Sequence, residues 1–280
     1  MSTTFESRYA SSPAEVKQMD TARLRQAFLI EKIFDADQIV WTHTHYDRYL
    51  AGGAMPVNGA VALETIAPLK AAYFLERREL GMINVGGDGM VEVDGELFEL
   101  AYKEALYIGK GNRQVIFHSK NAASPAKFYL NSTPAHHSYP TRKVTKEEAD
   151  IVALGALETS NHRTINKLLV NSVLETCQLQ MGMTALQPGS VWNTMPAHTH
   201  DRRMEVYFYF ELPVGQSVCH FMGEPQETRH IWMQNEQAVI SPPWSVHAGA
   251  GTSNYTFIWG MAGENLDYSD MDHCSITDLR

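Results

Sequence analysis

No stretch of the chain approaches the roughly 20 consecutive uncharged apolar residues that a bilayer-spanning helix requires. Cysteine is scarce: Cys177, Cys219 and Cys274 are the only three in 280 residues, far apart and without a CxxC pair. An odd, scattered set argues against a disulfide framework and fits a reducing interior. Each thiol reads as a small buried hydrophobe. Residues 1–16 lack the basic-then-apolar layout of a secretion signal. Basic groups are outnumbered, with 23 Lys and Arg against 32 Asp and Glu, for a formal net charge of −9. That balance disfavours nucleic acid and anionic membrane as partners, and no DNA-binding module is evident. The expectation is a cytoplasmic globular protein. A local group of arginines can still bind a small anionic molecule on an acidic protein.

An apolar content of 44% over this length supplies core for one large or two medium domains. Residues 11–34 read as helical, with Pro13-Ala14-Glu15 as a first turn and Leu24, Phe28 and Ile33 as an apolar stripe. From Ile39 onward the pattern changes to short β-type runs punctuated by glycine. Val91 and Val93 alternate with Glu92 and Asp94, and Asp94-Gly95 is a hairpin signal. Further runs follow at 105–108, 115–117 and 126–130. Short strands at even spacing indicate a sandwich or barrel. Residues 134–171 look like a connector with a helical piece, which places a boundary near 150 and two domains at 1–150 and 151–280. Strands are then expected at 174–181, 204–210, 218–222, 230–233, 238–240 and 254–261. Glu76-Arg77-Arg78-Glu79-Leu80 is echoed by Asp201-Arg202-Arg203-Met204-Glu205, which with the common strand rhythm suggests a duplicated barrel.

The strongest chemical signal is Pro196-Ala197-His198-Thr199-His200-Asp201-Arg202-Arg203-Met204-Glu205. Residues two apart on a strand share a face, so His198 and His200 can present imidazoles to one point. Glu205 opens the strand-like run Val206-Tyr207-Phe208-Tyr209-Phe210, from which a carboxylate can meet them. His247 follows the proline-fixed turn Pro242-Pro243-Trp244. Three neutral imidazoles and one carboxylate suit a borderline divalent metal such as Zn, Fe, Mn, Co or Ni. A lone H-x-H usually means nothing; the complete set is what carries the inference. His43-Thr44-His45 repeats the spacing, but Gly109-Lys110-Gly111 stands where a later histidine would be needed. The first domain is therefore expected to be metal-free, with a structural or interface role. His136-His137 reads as an exposed loop pair, while His162 and His230, each next to an arginine, are weaker pocket candidates.

H-x-H-x(4)-E, followed about forty residues later by P-x(3)-H, resembles the two cupin motifs. Longer segments are more specific. Tyr73-Phe74-Leu75-Glu76-Arg77-Arg78-Glu79-Leu80-Gly81, Ala105-Leu106-Tyr107-Ile108-Gly109-Lys110-Gly111, Arg163-Thr164-Ile165-Asn166-Lys167 and Trp192-Asn193-Thr194-Met195-Pro196 resemble the 5-keto-4-deoxyuronate isomerase (4-deoxy-L-threo-5-hexosulose-uronate ketol-isomerase) family. So do Pro225-Gln226-Glu227-Thr228-Arg229-His230 and Tyr255-Thr256-Phe257-Ile258-Trp259-Gly260-Met261. The resemblance spans about Thr21 to Arg280. It implies a mainly β chain of two cupin-like jelly-roll barrels with one Zn2+ per subunit, held by His198, His200, Glu205 and His247. It also implies a homo-oligomer, a hexamer, and an aldose–ketose isomerisation in pectin and uronate catabolism. The substrate would be 5-dehydro-4-deoxy-D-glucuronate and the product 3-deoxy-D-glycero-2,5-hexodiulosonate. On the residues alone, an iron-dependent cupin dioxygenase and a non-enzymatic sugar-binding cupin stay open.

Such a substrate carries a carboxylate and calls for a cationic clamp. Arg163, Lys167, Arg202, Arg203 and Arg229 are candidates, with the Arg202-Arg203 pair favoured because it abuts the metal motif. Tyr207 and Tyr209 share parity with Glu205, and Tyr207 is the candidate catalytic residue, able to position or relay a proton. Met181, Met183 and Met195 are expected to fill core.

Overall fold

The computed structural model describes residues 3–280. The expected N-terminal helix forms as two pieces. Ser12 and Glu15 make a capping box over the single turn Pro13–Val16. Asp20 then accepts from the Arg23 amide and starts a second helix, Thr21–Phe28. Two N-caps eight residues apart break one helix into two. The chain extends at once into the strand Leu29–Ile30.

The chain divides into two compact units, residues 1–8, 32–149 and 168–180 in the first, and 9–31, 150–167 and 181–280 in the second. The cut at 149/150 lies beside the boundary expected from sequence, but each unit also takes a segment from the other's half. Strand pairing explains one exchange: Leu29–Ile30 pairs with Gln237–Ser241, so the N-terminal helical segment goes with the second unit.

In the first unit a seven-stranded sheet runs, neighbour to neighbour, Thr3–Arg8, Ile39–Thr44, Leu50–Ala54, Phe128–Pro134, Arg78–Asn84, Ala105–Ile108, Arg142–Val144. It is accompanied by a four-stranded sheet, Val61–Ala62, Val115–Ser119, Gly89–Val93, Glu96–Leu100. Asp94 and Gly95, at φ 47° and 90°, make the expected hairpin turn between the last two; positive φ at both central positions marks a turn matched to the strand twist. Ile39, Trp41, Leu80, Met82, Val91, Phe117 and Phe128 belong to the buried core.

The second unit repeats this order: Asp150–Leu154, Arg163–Leu169, Gln180–Leu186, Thr256–Gly263, Arg203–Phe210, Gln237–Ser241, Leu29–Ile30, with the four strands Trp192–Asn193, Ala248–Gly251, Val218–Glu224, Glu227–Met233. Register agrees as well. Arg78 pairs with Pro134 at the end of one strand, and Arg203 with Gly263 at the end of its counterpart. The duplication suggested by the arginine echo is therefore a matching of whole sheets.

Two expectations are corrected. The connector has no helix among the described residues; 150–154 is a strand paired with Arg163–Leu169. Residues 174–179 are not a strand either. The Glu79 carboxylate accepts from the successive amides of Cys177, Gln178 and Leu179, each at 2.8 Å, and from the Tyr107 hydroxyl at 2.7 Å. Three consecutive amides turned to one anion form a nest, a curled backbone that cannot pair in a sheet.

Candidate metal centre

Each of the four proposed ligands is presented by a different local device. His198 lies on the two-residue strand His198–Thr199, opposite His273. His200 follows it, tied by its amide to the Pro243 carbonyl at 2.9 Å. Glu205 sits inside the strand Arg203–Phe210, between Ser241 and Met261. His247 comes off the turn closed by the Ser245 amide on the Pro242 carbonyl. All four are buried, and one ligand atom from each lies within 4.8 Å of all the others. Among the described residues, no other group of three or more His, Cys, Asp or Glu converges in this way.

The spacing suits a single ion. Ligand bonds of about 2.0–2.2 Å in a tetrahedron put the ligand atoms roughly 3.3–3.6 Å apart. The observed separations are 2.7 Å from His200 Nε2 to Glu205 Oε1, 2.9 Å between the Nε2 atoms of His247 and His198, and 3.7 Å from His247 Nε2 to Glu205 Oε1. Tautomers strengthen the case. His200 Nδ1 donates to the Asp270 carbonyl at 2.7 Å, which in the tautomer that binds a metal turns the bare Nε2 lone pair toward the other ligands. That lone pair faces a carboxylate oxygen at 2.7 Å and has no hydrogen-bond partner. Two acceptors at that distance repel unless a cation lies between them, and a divalent ion fits.

Burial keeps the His198 and His247 imidazoles neutral and therefore ligand-ready. It lowers His198 to about 2 and His247 to about 4, against a partial opposing pull from Glu205. Burial pushes the Glu205 carboxyl up, but the surrounding His247, His200 and His198 hold it net below the carboxylate range.

The arginine pair serves the ring of residues around the ligands. Arg203, 1% exposed, donates to the carbonyls of Asp267 at 2.6 Å, Tyr268 at 3.0 Å and Asp270 at 3.1 Å. Arg202 binds the Asp270 carboxylate through both Nε and Nη2 and reaches Asp272 at 3.3 Å. Together they fasten the 267–272 segment whose Asp270 carbonyl orients His200. Such outer partners fix ring orientation and raise ligand basicity. Both guanidiniums are turned to this segment and neither lines the cavity beside the ligands, so the pair favoured from sequence gives way.

Beside the ligands is a cavity of about 320 Å³, into which His198 and Glu205 face. Arg163, Thr194, Tyr207, Trp259, Tyr268 and His273 line it. Arg163 is half-buried and donates through Nη1 to the Asn161 carbonyl at 2.9 Å. Among the described residues no carboxylate pairs with it; burial lowers its pKa from the ordinary value. The Tyr207 hydroxyl is 3.0 Å from Thr194 Oγ1. Burial first, then the charge of Glu205, raises the phenol well above its usual range. Thr194 is held at φ 49°, a costly conformation for a β-branched residue, and in it keeps its hydroxyl on Tyr207.

Other sequence candidates lie elsewhere. Tyr209 shares the parity of Tyr207 but is fully buried, 2.8 Å from His220 Nδ1. Lys167 pairs with Asp150 at 3.0 Å. Arg229 pairs with Glu227 at 2.8 Å and donates to the Lys17 carbonyl, on the strand at the edge of the four-stranded sheet. His162 and His230 do not line the cavity, whereas Met195, expected in core, does. His273, Tyr268 and Trp259 were not anticipated. The pairing of His273 with His198 joins residues 75 positions apart, and no local pattern announces it.

In the first unit, the place of Glu205 on the matching strand is taken by Leu80, buried in the core. The His43-Thr44-His45 copy lies on the strand Ile39–Thr44 and the turn after it, the counterpart of Arg163–Leu169 and not of the ligand segment.

A family model described as the KduI/IolB family matches residues 29–276. The chain is 66% identical over 280 residues, all of both chains, to a Formosa agariphila protein named 4-deoxy-L-threo-5-hexosulose-uronate ketol-isomerase. A Bacteroides fragilis protein of the same name is 61% identical over 280 residues, again all of both. One from Escherichia coli is 56% identical over 275 residues, 98% of this chain and 99% of the other. Among solved structures, an IolB-like protein from Salmonella typhimurium superposes with a TM-score of 0.69 at 14% identity, covering 88% of this chain and 96% of that one. Oxalate decarboxylase from Lactobacillus farciminis gives 0.56 at 10% identity, covering 80% and 79%. These likenesses show the fold, a mainly β, cupin-like architecture.

Proposed function

We infer that this chain, which belongs to the KduI/IolB family, is a metal-dependent ketol-isomerase that converts 5-dehydro-4-deoxy-D-glucuronate into 3-deoxy-D-glycero-2,5-hexodiulosonate. The observation that carries this reading is the convergence of His198, His200, Glu205 and His247 beside a cavity whose wall holds an arginine without a carboxylate partner. Full-length identity to relatives bearing the isomerase name supports it. Zn2+, one per subunit, is the ion we propose, since three imidazoles and a carboxylate in a buried set suit it and the cavity beside them gives a substrate access.

The reaction moves one proton from C2 to C1 and another between the two oxygens, with no net oxidation. A bound divalent ion supplies Lewis-acid polarisation of the substrate oxygens. The protein's own residues do the rest. Arg163 holds the substrate carboxylate through the donors its Asn161 bond leaves free. Tyr207, kept protonated by burial, donates a hydrogen bond to a substrate oxygen and is not the base. Among the described residues His273 is the one imidazole outside the ligand set that lines the cavity, and we assign it the transfer of the proton between carbons. Trp259 and Phe257 exclude water from the wall. We further propose that the enzyme is cytoplasmic and homohexameric, as the family resemblance implies; light scattering of the purified protein reads the latter.

The test is a direct ketouronate isomerase assay under anaerobic conditions, with and without chelator, on the natural protein and on His247→Ala. Anaerobic turnover that chelation abolishes and zinc restores is expected. Turnover without metal would overturn the role of the ligand set, and turnover requiring oxygen would point to the dioxygenase chemistry that the same ligands can serve. His273→Gln is expected to lower kcat by about 100-fold or more, within the usual range for a general acid–base group, with little change in KM.

A further inference from the structure

We propose that the first unit contains a second binding site, a cavity that takes a small oxyanion, a carboxylate or a phosphate. The cavity has a volume of about 440 Å³, and His43, His45, Arg48, Arg77 and Arg78 line it together with Phe74. No acidic side chain is in its lining. Three guanidiniums and two imidazoles around one concavity are unusual on a chain with a net charge of −9. The guanidiniums make a local positive field in which an anion is the natural counter-ion.

His45, Arg48 and Arg77 are exposed at the rim, and buried Arg78 and His43 distinguish this site from a basic surface patch. Arg78 is 5% exposed, and its Nε and Nη2 are fixed on Ser132 and on the Arg48 carbonyl. Its neighbour Glu79 does not occupy the cavity: adjacent residues on a strand face opposite ways, and that carboxylate is taken up by the amides of 177–179 and by Tyr107. Arg77 reaches Glu76 at 3.2 Å. His43 is 7% exposed and its Nδ1 is buried with no hydrogen-bond partner. Buried polar groups are normally satisfied, so an unpartnered ring nitrogen on the wall of a cationic cavity points to a missing partner, to which its N–H tautomer would donate. Burial first, then Arg78, His45 and Arg48, brings His43 down to about 4, consistent with the positive field.

Arg78 holds the register place of Arg203, and the strand bearing His43 is the counterpart of the one bearing Arg163. Leu80, at the place of Glu205, is packed in the core and does not line this cavity, so the site is the first unit's own and lacks the ligand set. The planar fork of Arg48 suits an oxyanion, which it can meet with paired N–H donors, while Arg77 and Arg78, held on Glu76, Ser132 and the Lys70 and Arg48 carbonyls, supply fixed positive charge beside it.

The experiment is thermal unfolding of the zinc-loaded full chain at constant ionic strength, titrated with inorganic phosphate in one arm and gluconate in the other, with sodium chloride as reference. A saturable rise in Tm beyond the chloride reference is expected in at least one arm, as for any ligand that binds only the native state. Phosphate alone, gluconate alone, or both assigns the anion. Arg48→Gln and His43→Gln are expected to weaken the apparent affinity at least tenfold while leaving isomerase kinetics unchanged. Arg163→Met, which removes the cation of the metal-centre cavity, is expected to retain the response, and this separates the two cavities. No saturable response in either arm, an undiminished response in both Arg48→Gln and His43→Gln, or a response lost in Arg163→Met would overturn the proposal.

Discussion

Replacing Arg163 by methionine tests the substrate side of the site. The guanidinium has five N–H donors, and the structure commits one nitrogen, Nη1, to the Asn161 carbonyl. Nε and Nη2 stay available for a two-pronged bond to a carboxylate. Hydrogen bonds to a charged group are worth about 1.5–3 kcal/mol each; Arg163 is only half-buried and water can replace part of the lost clamp, so the loss is set at the worth of one such bond, about 1.5–3 kcal/mol in total. That range corresponds to a fall of about 10- to 150-fold in kcat/KM. The carboxylate lies remote from the reacting carbons and is bound equally in the ground and transition states, so the loss should appear in KM and leave kcat within a few fold. The assay is steady-state kinetics with metal content measured on each preparation. Arg202→Met is the comparison, because Arg202 is committed to Asp270 and Asp272. It should leave KM unchanged at saturating metal. If Arg163→Met kept the natural KM while Arg202→Met raised it, the clamp would have to be reassigned to the pair.

Arg203→Met should weaken metal affinity about 10- to 100-fold, the usual effect of removing an outer partner, because it releases the carbonyls of 267–270; competition with a calibrated chelator reads this, and natural affinity would refute it. Glu79→Gln should lower unfolding free energy by about 3 kcal/mol, since one buried carboxylate holds three amides and a phenol. Urea melts check this, and isomerase constants well below the melting temperature should be unchanged. His220 is fully buried and lowered by burial to about 3 from a reference of 6.5. The unfolded chain therefore binds a proton that the native state refuses: stability is intact above pH 6.5 and falls by about 1.4 kcal/mol per pH unit as pH drops toward 3. His220→Gln should flatten that slope by one proton, and an unchanged slope would show that other groups govern acid unfolding.

What could be read from sequence depended on how local its physical cause was. Spacing made the ligand set visible: His198 and His200 two apart, Glu205 at the head of an apolar strand, His247 after two prolines. The hairpin at Asp94-Gly95 was visible because the turn is made by those residues themselves. The uses of Arg202 and Arg203 were not, since their partners are carbonyls and carboxylates some 64–70 positions away, and main-chain carbonyls leave no trace in side-chain pattern. His273 was hidden for the same reason. The N-terminal segment was misplaced because helical periodicity says which face is buried and not against what; the pairing of Leu29 with Val239 settles it. Residues 174–179 showed strand-like apolarity, but a carboxylate about 100 positions earlier overrode it.

That exchange of segments also bears on biogenesis. Emerging from the ribosome, residues 9–31 have nothing to join until Gln237–Ser241 has been made, so the start of the chain must wait through most of synthesis. The first unit, complete once residue 180 has emerged, can close ahead of it. A single cut at 150 would strip one sheet of its terminal strand and leave the other without its 168–180 segment, so neither half is a module that recombination could lift out intact. Whatever duplication gave the chain its two similar barrels, they now have to be inherited together.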